Sequence, residues 1–199
     1  MELLIATHNQ GKYREFADAL RPMGVSVLSL KTLGIHREVE ETGTTFQENA
    51  ILKATEYYSH SNIPTLSDDS GLIVDVLNGA PGIKSARYAG NNATDQENRD
   101  KLLYKLADTP ANKRRAMFVC VIAIITKPNE IKLFQGKIQG RIANKETGKM
   151  GFGYDSIFIP ENDTRSMAQL TDHEKIKISH RGIALRKTSN WFKNSRILN

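Results

Sequence analysis

Short apolar runs alternate along this chain with amphipathic stretches of helical period, and two long β-rich runs follow in the second half. Met1–Ala6 is apolar and ends in the polar segment Thr7-His8-Asn9-Gln10-Gly11-Lys12. Phe16, Ala19 and Leu20 then recur at the i, i+3, i+4 spacing of a helix that runs through Leu20. Strand, glycine-containing polar turn and helix form an α/β opening. Val25–Leu30 reads as a second strand. Thr45 with Glu48 three residues on is a capping-box pattern, so a helix is expected to start near Thr44-Thr45. Its face Phe46, Ala50, Lys53/Ala54 and Tyr57 continues to about His60. Ile63–Leu66 and Leu72–Val76 are expected as separate short strands, one delivering Ser67-Asp68-Asp69-Ser70-Gly71 and the other leaving it.

Asp95–Leu106 reads as a helix with Thr94 as N-cap. Ala116–Thr126 and Ile131–Ile142 flank the turn signal Lys127-Pro128-Asn129-Glu130, which predicts an antiparallel hairpin. A Gly- and Lys-rich loop, Asn144–Gly153, precedes a strand at Ser156–Ile159 and a closing helix from about Ser179 to Phe192. No repeat, low-complexity segment or linker interrupts the pattern. It predicts an α/β fold with a mixed sheet, residues 1–199 forming a single domain of two lobes on one core.

Composition narrows the function classes. Hydrophobic and charged fractions of 39% and 25% are ordinary for a globular chain. Cys120 is the one cysteine, inside the apolar run Phe118–Ile122, so it reads as a buried thiol and no intramolecular disulfide can form. There is no basic start followed by a long apolar stretch, and no run approaches the ~20 residues of a membrane span. A soluble cytoplasmic protein, without a membrane partner, is the expectation. The net charge of +6 is spread along the chain rather than gathered into a stripe. That argues against a nucleic-acid-binding module and suits a small anionic substrate. The densest basic group, Lys113-Arg114-Arg115, reads as a solvated strand entrance.

Several segments carry chemistry. Asp68 and Asp69 lie side by side where a strand is expected to end. Alone, the motif reads equally as a surface turn or as an oxygen-only site suited to magnesium. Nothing suits zinc, because the 5 histidines are scattered and the cysteine stands alone. Glu38, Glu40 and Glu41 form a second acidic group in an extended stretch, where solvated loop charge is the plainer alternative. Two segments carry donors for phosphate: Thr7–Lys12 just ahead of a helix, and Lys175, Ser179, His180, Arg181 and Gly182 at the head of the last one. The first is not a Walker A loop, since the second glycine and the Lys-Ser/Thr pair are missing. Phe152 stands between glycines in Gly151-Phe152-Gly153-Tyr154-Asp155, either core or a stacking platform for a flat base.

Taken in order, Thr7–Lys12, Glu40–Ala54, Ser67–Leu72, Gly79–Gly90, Gly151–Pro160 and Ser179–Gly182 resemble the inosine/xanthosine triphosphate pyrophosphatase family, house-cleaning enzymes for non-standard purine nucleotides. Each stretch is weak alone, but six in order cover nearly the whole chain. The resemblance implies a long mixed sheet flanked by helices, two lobes with the active site in the cleft between them, and a homodimer. It implies hydrolysis of ITP, dITP and XTP between the α- and β-phosphates, giving monophosphate and pyrophosphate with Mg²⁺ as cofactor. By the same resemblance Asp69 activates water, and Glu40, Asp68 and Asp69 form the metal shell, Glu41 being a competing choice for Glu40. Thr7, Asn9 and Lys12 are implied as phosphate or ribose contacts with Ser70 beside them, and His8, Gln10 and Gly11 complete that segment. Phe152, Gly153, Tyr154, Asp155, Lys175, His180 and Arg181 are implied as the nucleotide pocket. His8 and Gln10 fill variable places, and Lys84 stands where an apolar or aromatic residue is commoner. The nearest alternative is a related pyrophosphatase acting on modified pyrimidine nucleotides.

Overall fold

The computed structural model describes residues 1–195. The fold is α/β, a mixed sheet flanked by helices. Six strands, β1 (Glu2–Ile5), β2 (Ser26–Ser29), β3 (Thr65–Val74), β4 (Arg115–Lys127), β5 (Glu130–Ile142) and β6 (Phe158–Pro160), lie in the order β2-β1-β3-β4-β5-β6. β1 pairs parallel with β2 and with β3, whereas β5 and β6 are antiparallel. The helices are α1 (Gln10–Leu20), α2 (Phe46–Ser61), α3 (Asp95–Lys105), α4 (Asp172–Ile178) and α5 (His180–Asn194).

Local chemistry accounts for most boundaries. Thr45 and Thr94 cap α2 and α3, each in a reciprocal capping box with Glu48 and Glu97. Asn129, at φ +62°, sits in the left-handed region between β4 and β5. β4 is buried almost without a break from Phe118 to Ile125, as an interior strand of a sheet covered on both faces must be.

Four expectations need correction. Ile63–Leu66 and Leu72–Val76 are not two strands: β3 runs unbroken from Thr65 to Val74, through the acidic motif. Asp68 and Asp69 are 2% and 5% exposed, which excludes the surface-turn reading. Arg114 is buried, its guanidinium donating to the carbonyls of Leu106, Thr109 and Ala143, so the Lys113-Arg114-Arg115 group is not a solvated entrance as a whole. The strand expected at Ser156–Ile159 begins only at Phe158, because the amides of Ile157 and Phe158 are turned back onto the Tyr154 carbonyl.

The chain divides into two compact units. One contains Met1–Asp69, Cys120–Gly136 and Ile183 onward; the other contains Ser70–Val119 and Lys137–Gly182. Strands β3, β4 and β5 contribute residues to both. In the first unit Leu4, Ala6, Leu30, Ile35 and Tyr57 form a buried cluster. In the second, Leu72, Val74, Leu102, Leu106, Phe118, Ile142, Tyr154, Ile157 and Phe158 belong to another. Cys120 is fully buried.

Candidate active site

In the first unit, the parallel pairing of β1 with β3 sets Ile5 opposite Leu66, bringing the end of β1 beside the acidic stretch. The chain then turns into α1, whose N-cap is Asn9: its Oδ1 accepts from the Lys12 amide at 3.0 Å, and the Thr7 hydroxyl accepts from the Asn9 amide at 3.2 Å. Thr7 and Asn9 thus shape the turn. Lys12, on the first turn of the helix, carries its ammonium to 2.9 Å from Asp68 Oδ2. His8 Nε2 lies 3.3 Å from the Arg37 carbonyl and from the Tyr57 hydroxyl. Gln10 is exposed and Gly11 half-buried at the helix start.

Successive residues of a strand point to opposite sides, and the two aspartates have different partners accordingly. Asp68 faces Lys12, whereas Asp69 faces α2, receiving Asn49 Nδ2 at 3.3 Å and Lys53 Nζ at 3.4 Å. The same Lys53 ammonium lies 2.5 Å from Glu41 Oε1. Asn49 Oδ1 also holds the Gly43 amide at 2.8 Å, which fixes the segment carrying Glu41. Ser67, buried next to the pair, donates to the Ala50 carbonyl and locks β3 against α2. Burial pushes the Asp69 carboxyl up to about 6, against the opposing pull of Lys53. Burial alone would lower the pKa of Lys53, but the charges of Asp69, Asp68 and Glu41 raise it.

Glu40 is exposed, and its neighbour Glu41 is the residue that shares Lys53 with Asp69. Among the described residues no group of three or more His, Cys, Asp or Glu converges as a ready-made metal cage. Magnesium does not require one, since it is commonly held by one or two carboxylates, substrate phosphates and water. The oxygen-only donors Glu41, Asp68 and Asp69 fit that ion in chemistry.

In the second unit the Gly151–Asp155 turn is built around Asp155. Its Oδ2 accepts from the Phe152 amide at 3.0 Å and from Lys175 Nζ at 2.8 Å. A Cβ on Gly151 would lie 2.2 Å from that oxygen, so only glycine fits. The Lys175 ammonium is 4.9 Å and the Arg181 guanidinium 5.5 Å from the centre of the Phe152 ring. Arg181 Nη2 also reaches Ser70 Oγ at 3.5 Å. His180 stacks on Phe118, with centroids 4.7 Å apart and planes inclined by 10°. Tyr154 is buried in the apolar cluster and its hydroxyl donates to the Ser85 carbonyl, so this side chain supports the turn from behind. A cavity of about 130 Å³ is lined by Met150, Phe152, Gly153, Asp155 and Arg99 among others.

Three residues of these sets carry no clear sign in the sequence. Lys53 and Asn49 lie one turn apart on the side of α2 that meets β3; a lysine on an otherwise apolar helix face was the available signal. Arg99 is the third, reaching the Gly153 carbonyl from α3.

Comparison with known proteins gives the family. The profile of the Ham1 family matches residues 3–191. The chain belongs to the Ham1 family. A relative in Bacillus subtilis (strain 168), named dITP/XTP pyrophosphatase, is 47% identical over 188 residues, covering 94% of this chain and 95% of its own. One from Thermoanaerobacter pseudethanolicus with the same name is 44% identical over 191 residues, covering 96% of each. The solved Staphylococcus aureus Ham1 protein superposes with a TM-score of 0.87 at 44% identity, covering 98% of this chain and 100% of that one. A Coxiella burnetii HAM1 protein gives 0.89 at 40%, covering 97% and 98%. The resemblance drawn from the six motifs and the α/β fold are borne out. This Ham1-family chain has no helix, among its described residues, long and apolar enough to cross a membrane.

Proposed function

We propose that this protein hydrolyses non-standard purine nucleoside triphosphates (ITP, dITP and XTP) to the monophosphate and pyrophosphate with Mg²⁺ bound, removing them from the cytoplasmic nucleotide pool as a homodimer. Its relatives bear the name dITP/XTP pyrophosphatase over nearly their full length. The observation that carries the reading to these residues is the buried Asp69, held between Lys53 and Asn49 beside Glu41.

In this reading, Asp69 takes the proton of the attacking water, and Asn49 and Lys53 orient its carboxylate. Glu41 and Asp69, which share Lys53, would supply oxygens for the ion, with Asp68 and Glu40 next to them in sequence. A bound Mg²⁺ neutralises polyphosphate charge and acidifies a coordinated water. Lys12 and the α1 N-terminus, with Thr7, His8, Asn9, Gln10 and Gly11, receive the phosphates. Ser70 follows Asp69 directly in sequence, and Arg181 Nη2 reaches its hydroxyl at 3.5 Å. Lys175 is engaged by Asp155 and the Phe152 ring, so it serves the base end of the nucleotide.

Phe152 stacks the base, with Gly153, Asp155, His180 and Arg181 around it and Tyr154 supporting the turn from behind. Donors such as Arg181 match a 6-oxo group and meet the 6-amino group of adenine donor to donor. Guanine must be refused at its 2-amino group. The test is a panel of ITP, XTP, dITP, GTP, ATP and modified UTP, with pyrophosphate and phosphate measured separately. Magnesium-dependent pyrophosphate release from the first three is expected. Preference for modified UTP, or phosphate release, would overturn the reading. Sedimentation equilibrium at twice the monomer mass checks the dimer.

A further inference from the structure

Phe152 and Gly153 lie in a segment where Gly148, Gly151 and Gly153 all take left-handed φ values, +83°, +81° and +60°. A backbone so rich in permissive residues has weak intrinsic preference for one shape. A ring carried on it is placed only as well as its tethers hold it.

The Gly153 residue is tethered on both sides by α3. Its amide donates to Asp95 Oδ2 at 2.7 Å, and its carbonyl accepts from Arg99 Nη1 at 2.8 Å. Arg99 Nη2 also donates to Gln96 Oε1 at 2.7 Å, and the guanidinium is ion-paired with Glu146, whose Oε2 lies 2.9 Å from Nε. Glu146 in turn accepts from Gln96 Nε2 at 2.6 Å and from Ser156 Oγ at 2.8 Å. One guanidinium therefore joins the helix to the glycine-rich segment at Gly153 and, through Glu146 and Ser156, to residues on either side of it. It does so on the wall of the cavity that Phe152 lines.

An exposed Arg–Glu pair would be worth little. Here the arginine side chain is only 15% exposed; Nη1 and Nη2 each donate to a partner while the charge pairs with Glu146, a task a lysine cannot reproduce.

We propose that Arg99 is a positioning residue for base recognition: by holding the Gly153 carbonyl and Glu146 together, it keeps the base-facing segment in one geometry. The proposal rests on reading Phe152–Asp155 as the base pocket. Arg99 touches no reacting atom in it, so its loss acts on substrate binding and base discrimination and leaves the chemical step alone.

Steady-state kinetics of wild type, Arg99→Leu and Arg99→Lys with ITP and GTP test this, with thermal unfolding in parallel. Arg99→Leu is expected to raise KM for ITP about tenfold, the worth of one charge-assisted hydrogen bond, with kcat within about twofold. The ratio of kcat/KM for ITP over GTP should narrow. Arg99→Lys should be intermediate, since one ammonium reaches Gly153 or Glu146 but not both. An unchanged KM and unchanged ratio, whatever the melting temperature, would overturn the proposal, as would a fall in kcat alone. If Arg99→Leu does not fold, Arg99→Lys decides by the same criteria. Wild type that turns over none of ITP, dITP and XTP would instead sink the proposed function, so the two failures are distinguishable.

Discussion

The Lys53 ammonium lies 3.4 Å from Oδ1 of Asp69, with 14% and 7% of the two side chains exposed to solvent. The contact is one of a set in which Lys12 faces Asp68 and Lys53 faces Asp69 and Glu41. Charges this buried are tolerable only when paired.

Replacing Lys53 with Met keeps the aliphatic stem and removes the charge. Asp69 and Glu41 then lose their shared partner in a buried place, a change that typically costs about 3–5 kcal/mol. Chemical denaturation in the presence of a chelator should register that loss. Millimolar Mg²⁺ should restore more stability to the variant than to wild type, because the ion replaces the missing positive charge. Equal responses to magnesium would count against a metal site at these carboxylates.

Asp69→Asn preserves shape and removes the proton acceptor. Turnover of ITP should fall about 10³-fold, within the range a general base supplies, while nucleotide binding measured by calorimetry remains. Substantial activity in this variant would remove Asp69 from the proposed role.

The raised Asp69 pKa has a definite consequence for the metal-free protein. The folded carboxyl titrates at about 6, and an unfolded one near ~3.9. Between those values the folded state carries the proton and the unfolded state does not, so stability is highest toward pH 4 and declines as pH rises to about 6. Below that window the sign reverses: Asp163 and Glu174, both held near 2 by hydrogen bonds that include those from Arg165, begin to lose their contribution. Denaturation midpoints of wild type and Asp69→Asn from pH 4 to 7 check this. The decline should be present in wild type and flattened in the variant.

Much of this was legible in the sequence, for identifiable reasons. Helix starts at Thr45 and Thr94 were readable because a capping box and an N-cap threonine are local patterns with a local cause. The β4–β5 hairpin was readable for the same reason, through its turn residues. Asp68 and Asp69 were legible as chemistry but not as a strand interior: turn propensity is local, whereas the lysines that permit their burial come from α1 and α2. The short helix α4 escaped because Asp172–Ile178 spans only two turns, too little for a period to stand out. Arg99 escaped because its partners are fixed by tertiary contact, Gly153 lying 54 positions away.

Gly182, at the start of α5, separates local propensity from packing. Its position is helical, and alanine in a helix is ordinarily favoured over glycine by about 1 kcal/mol. Here, however, a Cβ would lie 1.8 Å from the Ile176 carbonyl oxygen and 3.1 Å from Ser179 Oγ. No rotamer relieves a clash with backbone, so α4 and α5 would have to separate, taking the neighbouring His180 and Arg181 with them. Gly182→Ala should therefore destabilise the protein by about 3 kcal/mol, the upper range for overpacking, and lower the melting temperature by roughly 10 °C. Gly34→Ala serves as the contrast: its φ of +66° disfavours alanine, but the Cβ meets nothing within 4 Å. The loss there should be limited to about 1–2 kcal/mol. A Gly182→Ala protein as stable as wild type would mean that the close approach of Ile176 to α5 does not hold in solution.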